Sequence, residues 1–544
     1  MGRPPRCEWT LVHAVRQQAE VQGDRPFLRF EDGQSFTFRS LDQRSDEVAR
    51  SLAALGVQAG DRVLGMIGNR AENLLAMLGT NKLGAVWVPV NTGLRGVFLQ
   101  HQLHNAEPRV VILEDALAAN LHDVEAGPVP PSATVVVGDP SLSLPGCLAK
   151  GRRLTFTELD RLRSPASAAM DLVLPAVGDI AMIMYTSGTT GPSKGVLMPH
   201  GHCYLLGLGA AEATGLTADD RYLVCMPFFH ANGLLMQFAA CLIAGAEVVV
   251  AERFRATTWL EEVRASGATL TNGLGVIPEF IYRQPPTDGD RDHRLRLMMA
   301  VPIAEEWGKA FEERFGVPFL QGFGMTECNM VAYSRPGVEP LEPGCAGYVL
   351  DEWFEVRIVD PETDEPRPQG EVGEIVVRPK VAGCFMAGYF RMPDRTVEAW
   401  RNLWFHSGDA GRFDSAGRLH YVDRLKDCIR RRGENISSFE IEQVLNAHPA
   451  VAESAVVGVK VAGAGGEDEV KAYVVASPGA ELDPRELLDW CSPRMPYFAV
   501  PRFVEWVSEL AKTPTGKLQK VALREVGVTE RTWDRESVGY VVRR

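Results

Sequence analysis

The chain has 544 residues, of which 45% are hydrophobic and 23% charged. This is the composition of an ordinary globular protein with about two to four folding units, and it excludes a largely disordered chain. Acidic side chains outnumber basic ones by 70 to 57, which gives a net charge of −13 with histidine neutral. A surface of that sign repels a phosphate backbone, so it argues against nucleic-acid binding, and an anionic ligand needs a local cluster of donors.

The cysteines and the apolar runs bear on the cellular compartment. Ten cysteines are scattered along the chain and none forms a Cys-x-x-Cys pair, which argues against a disulfide framework and a thiolate zinc site. The N-terminal segment has no apolar stretch of secretory length. The longest apolar run, 238–251, is shorter than the roughly 20 residues of a membrane span. We therefore expect a cytoplasmic protein without an integral membrane segment.

The N-terminal part of the chain alternates helical and strand-like patterns. Amphipathic helices are predicted over 41–55, ended by Gly56, and over 71–84. Apolar strands are predicted over 62–68 and 85–90. Nearly continuous apolar strands between helices indicate parallel sheets covered by helices on both faces. The same alternation resumes further along the chain, beyond a loop-rich stretch in which no chemistry can be identified.

The later part of the chain has a different texture. Shorter strands joined by Pro/Gly turns are predicted over 354–360, 374–378 and 418–423, and they indicate an antiparallel, β-barrel-like region. A capped helix and two strands around an exposed turn then form a compact α+β unit, large enough to fold alone. We predict an α/β fold with a large N-terminal body over residues 1–424 and a small mobile C-terminal domain over residues 425–544.

The most informative stretch, TSGTTGPSKG at 186–195, follows an apolar strand. Glycines let backbone N–H groups turn toward an anion, hydroxyls add donors and a lysine adds a point charge. The loop is therefore expected to hold phosphate oxygens, with a plain surface loop as the alternative. The predicted contacts are Thr186, Ser187, Gly188, Thr189, Thr190 and Lys194.

Two other sequence motifs partly match the same residues, and both fit poorly. Counted from Gly188, a Walker A loop requires Gly at position 193 and Ser or Thr after Lys194, whereas the chain has Ser193 and Gly195. A Gly-x-Ser-x-Gly nucleophile elbow requires a helix after the turn, but the apolar strand GVLM follows here. A P-loop NTPase and a serine hydrolase are therefore not favoured.

The loop is similar to the phosphate-binding signature of the adenylate-forming family, which contains acyl-CoA synthetases, peptide-synthetase adenylation domains and luciferases. Further motifs of that family follow in order over nearly the whole chain. The segments RRRGENIS, FEIEQVLNAHP and PRFVEW most resemble the carnitine/crotonobetaine–CoA ligase-like branch. The resemblance implies ATP, Mg²⁺ and coenzyme A as the cofactors and co-substrates, and it makes the N-terminal body the ATP- and acid-binding domain.

The segment GFGMTE at 322–327 resembles the family's aromatic-Gly-x-Thr-Glu motif. The resemblance implies that Phe323 lies against adenine, Thr326 contacts the α-phosphate and Glu327 holds Mg²⁺. A carboxylate is a usual protein ligand for that ion. The family more often has Tyr at the position of Phe323, a change that keeps the stacking. Without the resemblance, the Thr-Glu pair would indicate only a helix N-terminus.

Two further motifs imply the ribose contacts and the hinge. Asp409, in Ser-Gly-Asp, and Arg424, in Asp-Arg-Leu-Lys-Asp, resemble the family residues that bind the ribose hydroxyls. Lys426 corresponds to the hinge residue between the two domains. Unaided, the segment 423–427 would be a charged turn.

The last two motifs belong to the predicted C-terminal domain. The run RRRGENI resembles a glycine loop that enters the active site for thioester formation, in which Gly433 lets pantetheine pass close to the backbone. One or two of the three arginines, Arg430 among them, would meet the phosphates of coenzyme A, with a solvated charge run as the alternative. Lys517, in Pro-Thr-Gly-Lys, corresponds to the lysine at the reacting carboxylate and α-phosphate, where negative charge gathers. Alone, this motif would be a turn with a surface lysine.

The segment MPFFHANG at 226–233 resembles the family motif that lines the acyl pocket. The resemblance places His230 near the carboxylate and the thiol entrance; a core histidine is the alternative. The glycines among the other predicted walls would leave room for an acyl tail. Those walls are Asn272, Gly273, Gly275 and Val301.

The implied function is that of an acid:CoA ligase, which converts a carboxylic acid and MgATP to an acyl-adenylate and then to a thioester of coenzyme A. The catalytic residues would be Lys517, Thr326, Glu327 and His230. Three alternatives stay open: transfer to a carrier-protein phosphopantetheine, oxidation of the adenylate as in luciferases, and a catalytically silent nucleotide-binding regulator. The expected partners are the small acid and coenzyme A, without nucleic acid, and a homodimer is left open.

Overall fold

The computed structural model of the protein has a mixed α/β fold, with a large N-terminal body of three sheets and a smaller C-terminal domain with a sheet of its own. In the described part of the chain, no helix is long and apolar enough to cross a bilayer. The structure describes residues 3–542 except 140, 142, 163–170, 187–191, 275–276, 302, 304–306, 343, 425–427, 432–433, 462–466, 481 and 511–519.

An eight-stranded sheet carries the predicted phosphate loop. Its pairs are parallel except at one end, where Ile180–Thr186, Lys194–Pro199 and Gly388–Tyr389 pair antiparallel. The loop therefore joins two antiparallel strands, as the apolar GVLM segment predicts, and this arrangement contradicts a nucleophile elbow. In spatial order, the strands are Gly388–Tyr389, Lys194–Pro199, Ile180–Thr186, Val86–Pro89, Arg62–Met66, Val110–Glu114, Ala133–Val137 and Arg152–Thr155.

The loop-rich stretch was an incomplete prediction, because it supplies the last two strands of that sheet. Ala133–Val137 is buried throughout and pairs in parallel with Val110–Glu114. Arg152–Thr155 is an edge strand with one buried residue, Leu154. A short β-branched run between proline-rich turns, and a polar edge strand, give too little periodicity to be recognised.

A seven-stranded, mainly parallel sheet forms the acyl side of the molecule. Its antiparallel pair is Pro26–Phe30 with Ser35–Thr37. Ligands of such sheets bind beyond the carboxyl ends of the strands. Ligand-binding residues are therefore expected after Val224, Leu274 and Val301. The strands in order are Phe319–Leu320, Leu297–Val301, Leu270–Leu274, Arg221–Val224, Glu247–Val250, Pro26–Phe30 and Ser35–Thr37.

The third sheet is antiparallel throughout, as predicted for the β-barrel-like region. It starts with the strand that contains Phe323 and includes the strand that contains Asp409. The strands in order are Gly322–Met325, Asn329–Tyr333, Cys345–Val349, Leu419–Arg424, Phe405–Phe413, Gly373–Pro379 and Phe354–Val359.

The C-terminal residues form a two-stranded hairpin, Cys428–Arg431 with Glu434–Ser437, and a separate four-stranded sheet. Asp483 accepts a hydrogen bond from the backbone of Arg485, so it caps the predicted helix that begins at Pro484. The strands of the sheet are Val451–Lys460, Asp468–Ala476, Phe503–Trp506 and Trp533–Asp534.

Helices cover the sheets, and their local sequences explain their ends. The predicted helix 41–55 runs from Phe38 to Ala54, because Thr37 and Ser40 form a reciprocal cap and Gly56 takes a left-handed φ of +83°. The α-helices are Leu11–Val21, Phe38–Ala54, Ala71–Asn81, Gly96–Ala106, Phe156–Arg161, His200–Ala213, Ala240–Ala244, Trp259–Ser266, Ile277–Tyr282, Gly308–Phe315, Pro393–Ala399, Ser438–Asn446, Pro484–Cys491 and Lys520–Val526. A π-helix spans Asn232–Ala239, and 3₁₀ turns span Arg6–Glu8, Asp115–Leu121, Gly146–Leu148 and Arg401–Leu403.

The helix His200–Ala213 is central to the N-terminal body. It is buried on nearly all sides, as a helix apolar all round must be. It contacts the strands on both sides of the phosphate loop, the strand Asn329–Tyr333 and the π-helix. This one helix therefore supports both the phosphate side and the acyl side of the cleft.

Candidate active site

Four side chains gather where the phosphate loop leaves its sheet. Thr186 Oγ1 donates to Glu327 Oε1 at 3.1 Å, and the Tyr389 hydroxyl donates to the same oxygen at 3.2 Å. Lys194 Nζ lies 3.1 Å from the Tyr389 oxygen and 4.2 Å from the centroid of its ring. The structure thus brings Thr186, Lys194 and Glu327 together around Tyr389; we refer to these four as the phosphate-side cluster.

Three separate segments position this cluster. Thr186 and Lys194 face each other as the last pair of two antiparallel strands. Glu327 is 4% exposed and lies in the turn between Gly322–Met325 and Asn329–Tyr333. Tyr389 is on an edge strand paired with Val196. Burial and the Glu327 carboxylate both raise the pKa of Tyr389, so its hydroxyl stays a neutral donor.

Tyr389 was missed by sequence reasoning. It lies outside the motifs recognised in the sequence and follows the phosphate loop by some two hundred residues, so only the sheet pairing places it beside Lys194. The loop residues Ser187, Gly188, Thr189 and Thr190 lie outside the described residues.

An aromatic pair and a buried aspartate line the next part of the cleft. The Phe323 ring is 6% exposed and stacks on Tyr421 with centroids 6.2 Å apart. Asp409 is 3% exposed and pairs across the sheet with Arg424, whose side chain lies outside the described part. The predicted adenine and ribose contacts are therefore neighbours in one sheet.

Ser407 fixes the turn that presents Asp409. Its hydroxyl donates to the Ile375 carbonyl at 2.6 Å and accepts from the Asp409 N–H at 3.1 Å. Gly408, at φ +73°, donates its N–H to Glu374 Oε1 at 3.0 Å. Serine therefore makes both hydrogen bonds that a threonine hydroxyl could make here.

The acyl side lies beyond two neighbouring strands of the seven-stranded sheet. Asn272 pairs with Met299 and Leu274 pairs with Val301. Because side chains alternate across a strand, these four share one face. Leu274, Met299 and Val301 line the cleft, and Asn272 lies behind them, 1% exposed.

Gly273 corrects one expectation. It faces the opposite side of the sheet, where a Cβ would lie 2.5 Å from Met298 Cε and 3.0 Å from Pro278 Cγ. Close packing on that side explains the glycine, and it leaves no room for an acyl tail. Gly275 lies outside the described residues.

The hairpin Cys428–Ser437 reaches the acyl side from the C-terminal part of the chain. Glu434 Oε1 lies 3.2 Å from His230 Nε2, and Glu434 Oε2 accepts from Asn91 Nδ2 at 3.4 Å. His230 is therefore a residue of the cleft, with 35% of its side chain exposed. Burial disfavours its charged form, but the charge and hydrogen bond of Glu434 outweigh burial and raise the pKa of His230.

A second contact between the N-terminal body and the C-terminal residues lies at the edge of the cleft. A Cβ on Gly93 would lie 3.4 Å from Phe498 Cε1, and a Cβ on Gly96 would lie 2.6 Å from the Arg494 carbonyl oxygen. Gly96 also has φ +52°, so glycine is required there twice over. The whole cleft has a volume of about 2280 Å³ and is lined by both parts of the chain.

The structure shows that one arginine of the run, Arg431, is buried. Its side chain is 1% exposed, donates to the carbonyls of Phe498 and Val500 at 2.9 and 3.2 Å, and lies 2.6 Å from Glu469 Oε2. Ile429 and Arg431 are two residues apart in one strand, so their side chains lie on the same buried face. Arg431 is therefore a packing residue, neither solvated nor open to coenzyme A. The side chain of Arg430 lies outside the described part.

A further cluster of ligand-type side chains lies behind Tyr421. Ligand atoms of Glu342, Cys345 and His420 fall within 4.8 Å of one another. The Arg418 guanidinium lies 2.9 Å from Glu342 and 2.7 Å from Asp414, and His420 Nε2 lies 3.0 Å from Asp414. Because the Arg418 guanidinium already supplies the positive charge, these residues form an ion-pair network. Glu327 is the better candidate for a metal ligand.

The whole chain was compared with known proteins. The family model described as AMP-binding enzyme matches residues 15–390, and the model described as AMP-binding enzyme C-terminal domain matches residues 440–517. The chain belongs to the AMP-binding enzyme family. This membership confirms the predicted resemblance and the predicted enzyme class, an ATP-dependent, AMP-forming acid–thiol ligase.

Relatives and solved structures of the family agree with the fold. A crotonobetaine/carnitine–CoA ligase of Salmonella heidelberg is 31% identical over 516 residues, which cover 93% of this chain and 97% of the relative. An o-succinylbenzoate-CoA synthetase double mutant from Bacillus subtilis, bound to a product analogue, has a TM-score of 0.80 at 26% identity, covering 94% and 98%. ATP-bound MatB from Rhodopseudomonas palustris has a TM-score of 0.67 at 26% identity, covering 95% and 99%.

The family members therefore confirm the predicted α/β class with a large body and a small C-terminal domain. The individual site assignments stay predictions. Besides the loop residues and Gly275, the predicted hinge residue Lys426, the glycine Gly433 and the lysine Lys517 also lie outside the described part.

Proposed function

We propose that this enzyme is an acid:CoA ligase that works in two half-reactions at the two ends of one cleft. The observation that carries the proposal is the phosphate-side cluster at one end and His230 in contact with Glu434 at the other. Relatives named crotonobetaine/carnitine–CoA ligase support coenzyme A as the acceptor. The proposal keeps the body as residues 1–424 and the mobile domain as residues 425–544.

In the first half-reaction, a carboxylate oxygen of the acid attacks the α-phosphorus of ATP, and the bond to the β-phosphate oxygen breaks to release pyrophosphate. Lys194 and the loop that begins at Thr186 hold the departing phosphates. Thr326 and Lys517 meet the charge that gathers on the α-phosphate oxygens. Phe323 supports the adenine, and Asp409 with Arg424 binds the ribose. Catalysis of this kind consists of positioning and charge stabilisation.

Glu327 is the residue that would hold Mg²⁺. Two hydroxyls, from Thr186 and Tyr389, donate to its Oε1 and orient the carboxylate. A buried, oriented carboxylate beside hydroxyl oxygens fits the oxygen ligands that this ion prefers, with substrate phosphates and water completing the shell. The ion would neutralise phosphate charge in the transition state.

In the second half-reaction, the thiol sulfur of coenzyme A attacks the acyl carbonyl carbon. The thiol loses its proton to solvent, the bond between the acyl carbon and the phosphate oxygen breaks, and AMP departs with that oxygen. His230 lies at the acyl side, where its imidazole faces the incoming hairpin. Gly433, next to Glu434, would let pantetheine pass. A rotation about Lys426 would exchange Lys517 for this hairpin between the two half-reactions.

Two observations support assigning the present arrangement to the second half-reaction. Glu434 reaches His230 and Asn91, so the hairpin already lies in the cleft. The TM-score is also higher for the structure bound to a product analogue of a CoA synthetase, 0.80, than for ATP-bound MatB, 0.67.

A panel of acids tests the proposal. Purified enzyme with ATP, Mg²⁺ and each acid should release pyrophosphate only with accepted acids, and adding coenzyme A should release AMP and form the acyl thioester. A thioester formed only on a phosphopantetheinyl carrier protein would favour the carrier alternative. Tight ATP binding without pyrophosphate exchange on any acid would favour a silent nucleotide-binding regulator.

A further inference from the structure

The acyl side of the cleft has a lining of its own. Six apolar side chains form much of it. They come from the central helix, the π-helix, two strands of the seven-stranded sheet and the start of the helix Ile277–Tyr282. The main contributors are Leu206, Met236, Leu274, Ile277, Met299 and Val301.

One polar side chain interrupts this lining. Asn232 borders the cleft and is 7% exposed. Its Oδ1 accepts two hydrogen bonds, from Asn272 Nδ2 at 3.0 Å and from Gln237 Nε2 at 2.7 Å. Asn272 is held in turn by Tyr222, whose hydroxyl donates to Asn272 Oδ1 at 2.5 Å. We refer to Tyr222, Asn232, Gln237 and Asn272 as the amide network.

The π-helix makes this network. Asn232 and Gln237 are five residues apart, so in an α-helix their side chains would point about 140° away from each other. In a π-helix, residues i and i+5 lie on successive turns and can meet. The unusual winding of Asn232–Ala239 therefore brings the Gln237 amide onto Asn232.

The network orients the Asn232 amide. With both hydrogen bonds taken by Oδ1, its Nδ2 faces Met236 Sδ at 3.9 Å. A thioether sulfur is a weak acceptor, so this donor is poorly satisfied by the protein. Gln237 is fully buried, and its Oε1 has no hydrogen-bond partner among the described residues. Buried amides left this way in a native structure call for an explanation.

We propose that the acid activated by this enzyme has an uncharged, mainly apolar acyl group with one hydrogen-bond acceptor, which the Asn232 Nδ2 recognises. The proposal rests on the proposed acid:CoA ligase function and names its substrate class. A ligand oxygen that takes the place of the sulfur completes the amide's hydrogen bonds, and the remaining lining buries the rest of the acyl group.

The same lining disfavours two other classes of acid. A quaternary-ammonium acid, a betaine, needs a carboxylate or an aromatic cage around its cation, and a dicarboxylate needs a cation for its second carboxylate. None of the six side chains named for this lining is charged or aromatic. Glu327 and the His230–Glu434 pair are assigned to the reacting end of the cleft.

Matched acids provide the test. Hexanoate and benzoate are each compared with analogues that carry an ether or carbonyl oxygen at successive positions, and with a betaine and a dicarboxylate. Pyrophosphate release and thioester formation are followed for each acid. We expect neutral acids to react and at least one oxygen-bearing analogue to exceed its parent in kcat/KM by about tenfold or more.

Variants of Asn232 assign the preference to its amide. Asn232→Leu should reduce kcat/KM for the preferred analogue by roughly 10- to 100-fold more than it reduces kcat/KM for the parent acid. Asn232→Asp keeps the shape and the accepting oxygen but removes the donor, so it should lose the same preference even where the leucine variant folds poorly. Gln18→Leu, which removes a buried amide that is bonded to the Ile243 carbonyl and is not part of the cleft lining, should lower the melting temperature and keep the preference.

The possible outcomes distinguish a failure of this inference from a failure of the proposed acid:CoA ligase function. Equal losses for parent and analogue in both Asn232 variants would give the amide network a structural role only and overturn the inference. Efficient activation of the betaine or the dicarboxylate alone would overturn it and leave the ligase function standing. Absence of pyrophosphate release with every acid would overturn the proposed function, and the inference with it.

Discussion

The phosphate side and the acyl side of the cleft are built by different means. The phosphate-side cluster consists of charged and hydroxyl groups that already bond one another, Thr186 and Tyr389 to Glu327 and Lys194 to Tyr389. The acyl side is apolar, with one amide held by a buried network. The first side can recognise what every reaction shares, and the second can recognise what distinguishes one acid from another.

This difference predicts two kinds of variant. A change on the phosphate side should reduce activity by the same factor for every acid, because the nucleotide is common to all of them. A change on the acyl side should alter the ranking of acids, because only the acyl group touches it. The following variants break or sharpen that contrast.

The largest effect is expected for Lys517→Ala. This lysine is proposed to meet the carboxylate and the α-phosphate as charge develops, and losing one preorganised donor costs on the order of 10²–10³ in rate. ATP–pyrophosphate exchange should fall by that factor or more with each accepted acid. Thioester formation from a preformed acyl-adenylate should stay near the wild-type rate. Near wild-type exchange would refute the assignment of Lys517.

Tyr389→Phe should have the next largest effect. It removes a hydroxyl that donates to Glu327 and lies 3.1 Å from Lys194, while the ring under the Lys194 cation remains. Hydrogen bonds to charged groups contribute about 1.5–3 kcal/mol, so adenylation should slow by roughly 10- to 100-fold. The required Mg²⁺ concentration should also rise. A loss that differs strongly between two acids would contradict the contrast drawn above.

Phe323→Leu is expected to raise KM for ATP by about 2- to 10-fold, because it removes an aromatic ring that stacks on Tyr421. KM for the acid should change little. Phe323→Tyr serves as the control: it restores the residue more usual in the family, keeps the ring and should leave KM for ATP close to wild type. If both variants weaken ATP binding alike, Phe323 does not act through its aromatic face.

Glu434→Gln should give the smallest effect, about 2- to 5-fold on thioester formation, since both partners of the ion pair are partly exposed. Its signature is in the pH profile. Glu434 raises the pKa of His230, so the charged pair is complete below about pH 6.5 and is lost as pH rises through the raised pKa.

Without the carboxylate, burial alone acts on His230 and its pKa falls. The midpoint of the pH profile for thioester formation from preformed acyl-adenylate should therefore move to lower pH in Glu434→Gln. The profile for adenylation should not move, which gives an internal control. An unchanged thioester profile would mean that His230 and Glu434 are apart during that step.

The phosphate side could largely be predicted from the sequence, and the acyl side could not. Thr186, Lys194, Phe323, Glu327 and Asp409 each belong to a short contiguous motif, because backbone turns that hold a phosphate or a ribose demand particular residues in a row. Tyr389 escaped because its place depends on an edge strand that pairs with Val196, a contact far apart in the sequence.

On the acyl side, distant strands and a π-helix meet, and no local pattern marks the result. Asn272 was predicted as a wall but lies behind one, and Gly273 faces away from the cleft. A two-residue periodicity fixes which side chains share a face but not which face meets the cleft. The burial of Arg431 was not predicted either, because a charge run shows nothing of the buried Glu469 with which it pairs.

The winding of Asn232–Ala239 has a consequence for how this enzyme's selectivity could change during evolution. Such a segment typically holds one residue more than an ordinary turn of helix, so deleting a single residue would let it relax to the common form. The side chains ahead of the deletion would rotate by about 100°, carrying Asn232 off the wall without altering any strand. A change in chain length, rather than a series of substitutions, could thus retune which acids are admitted.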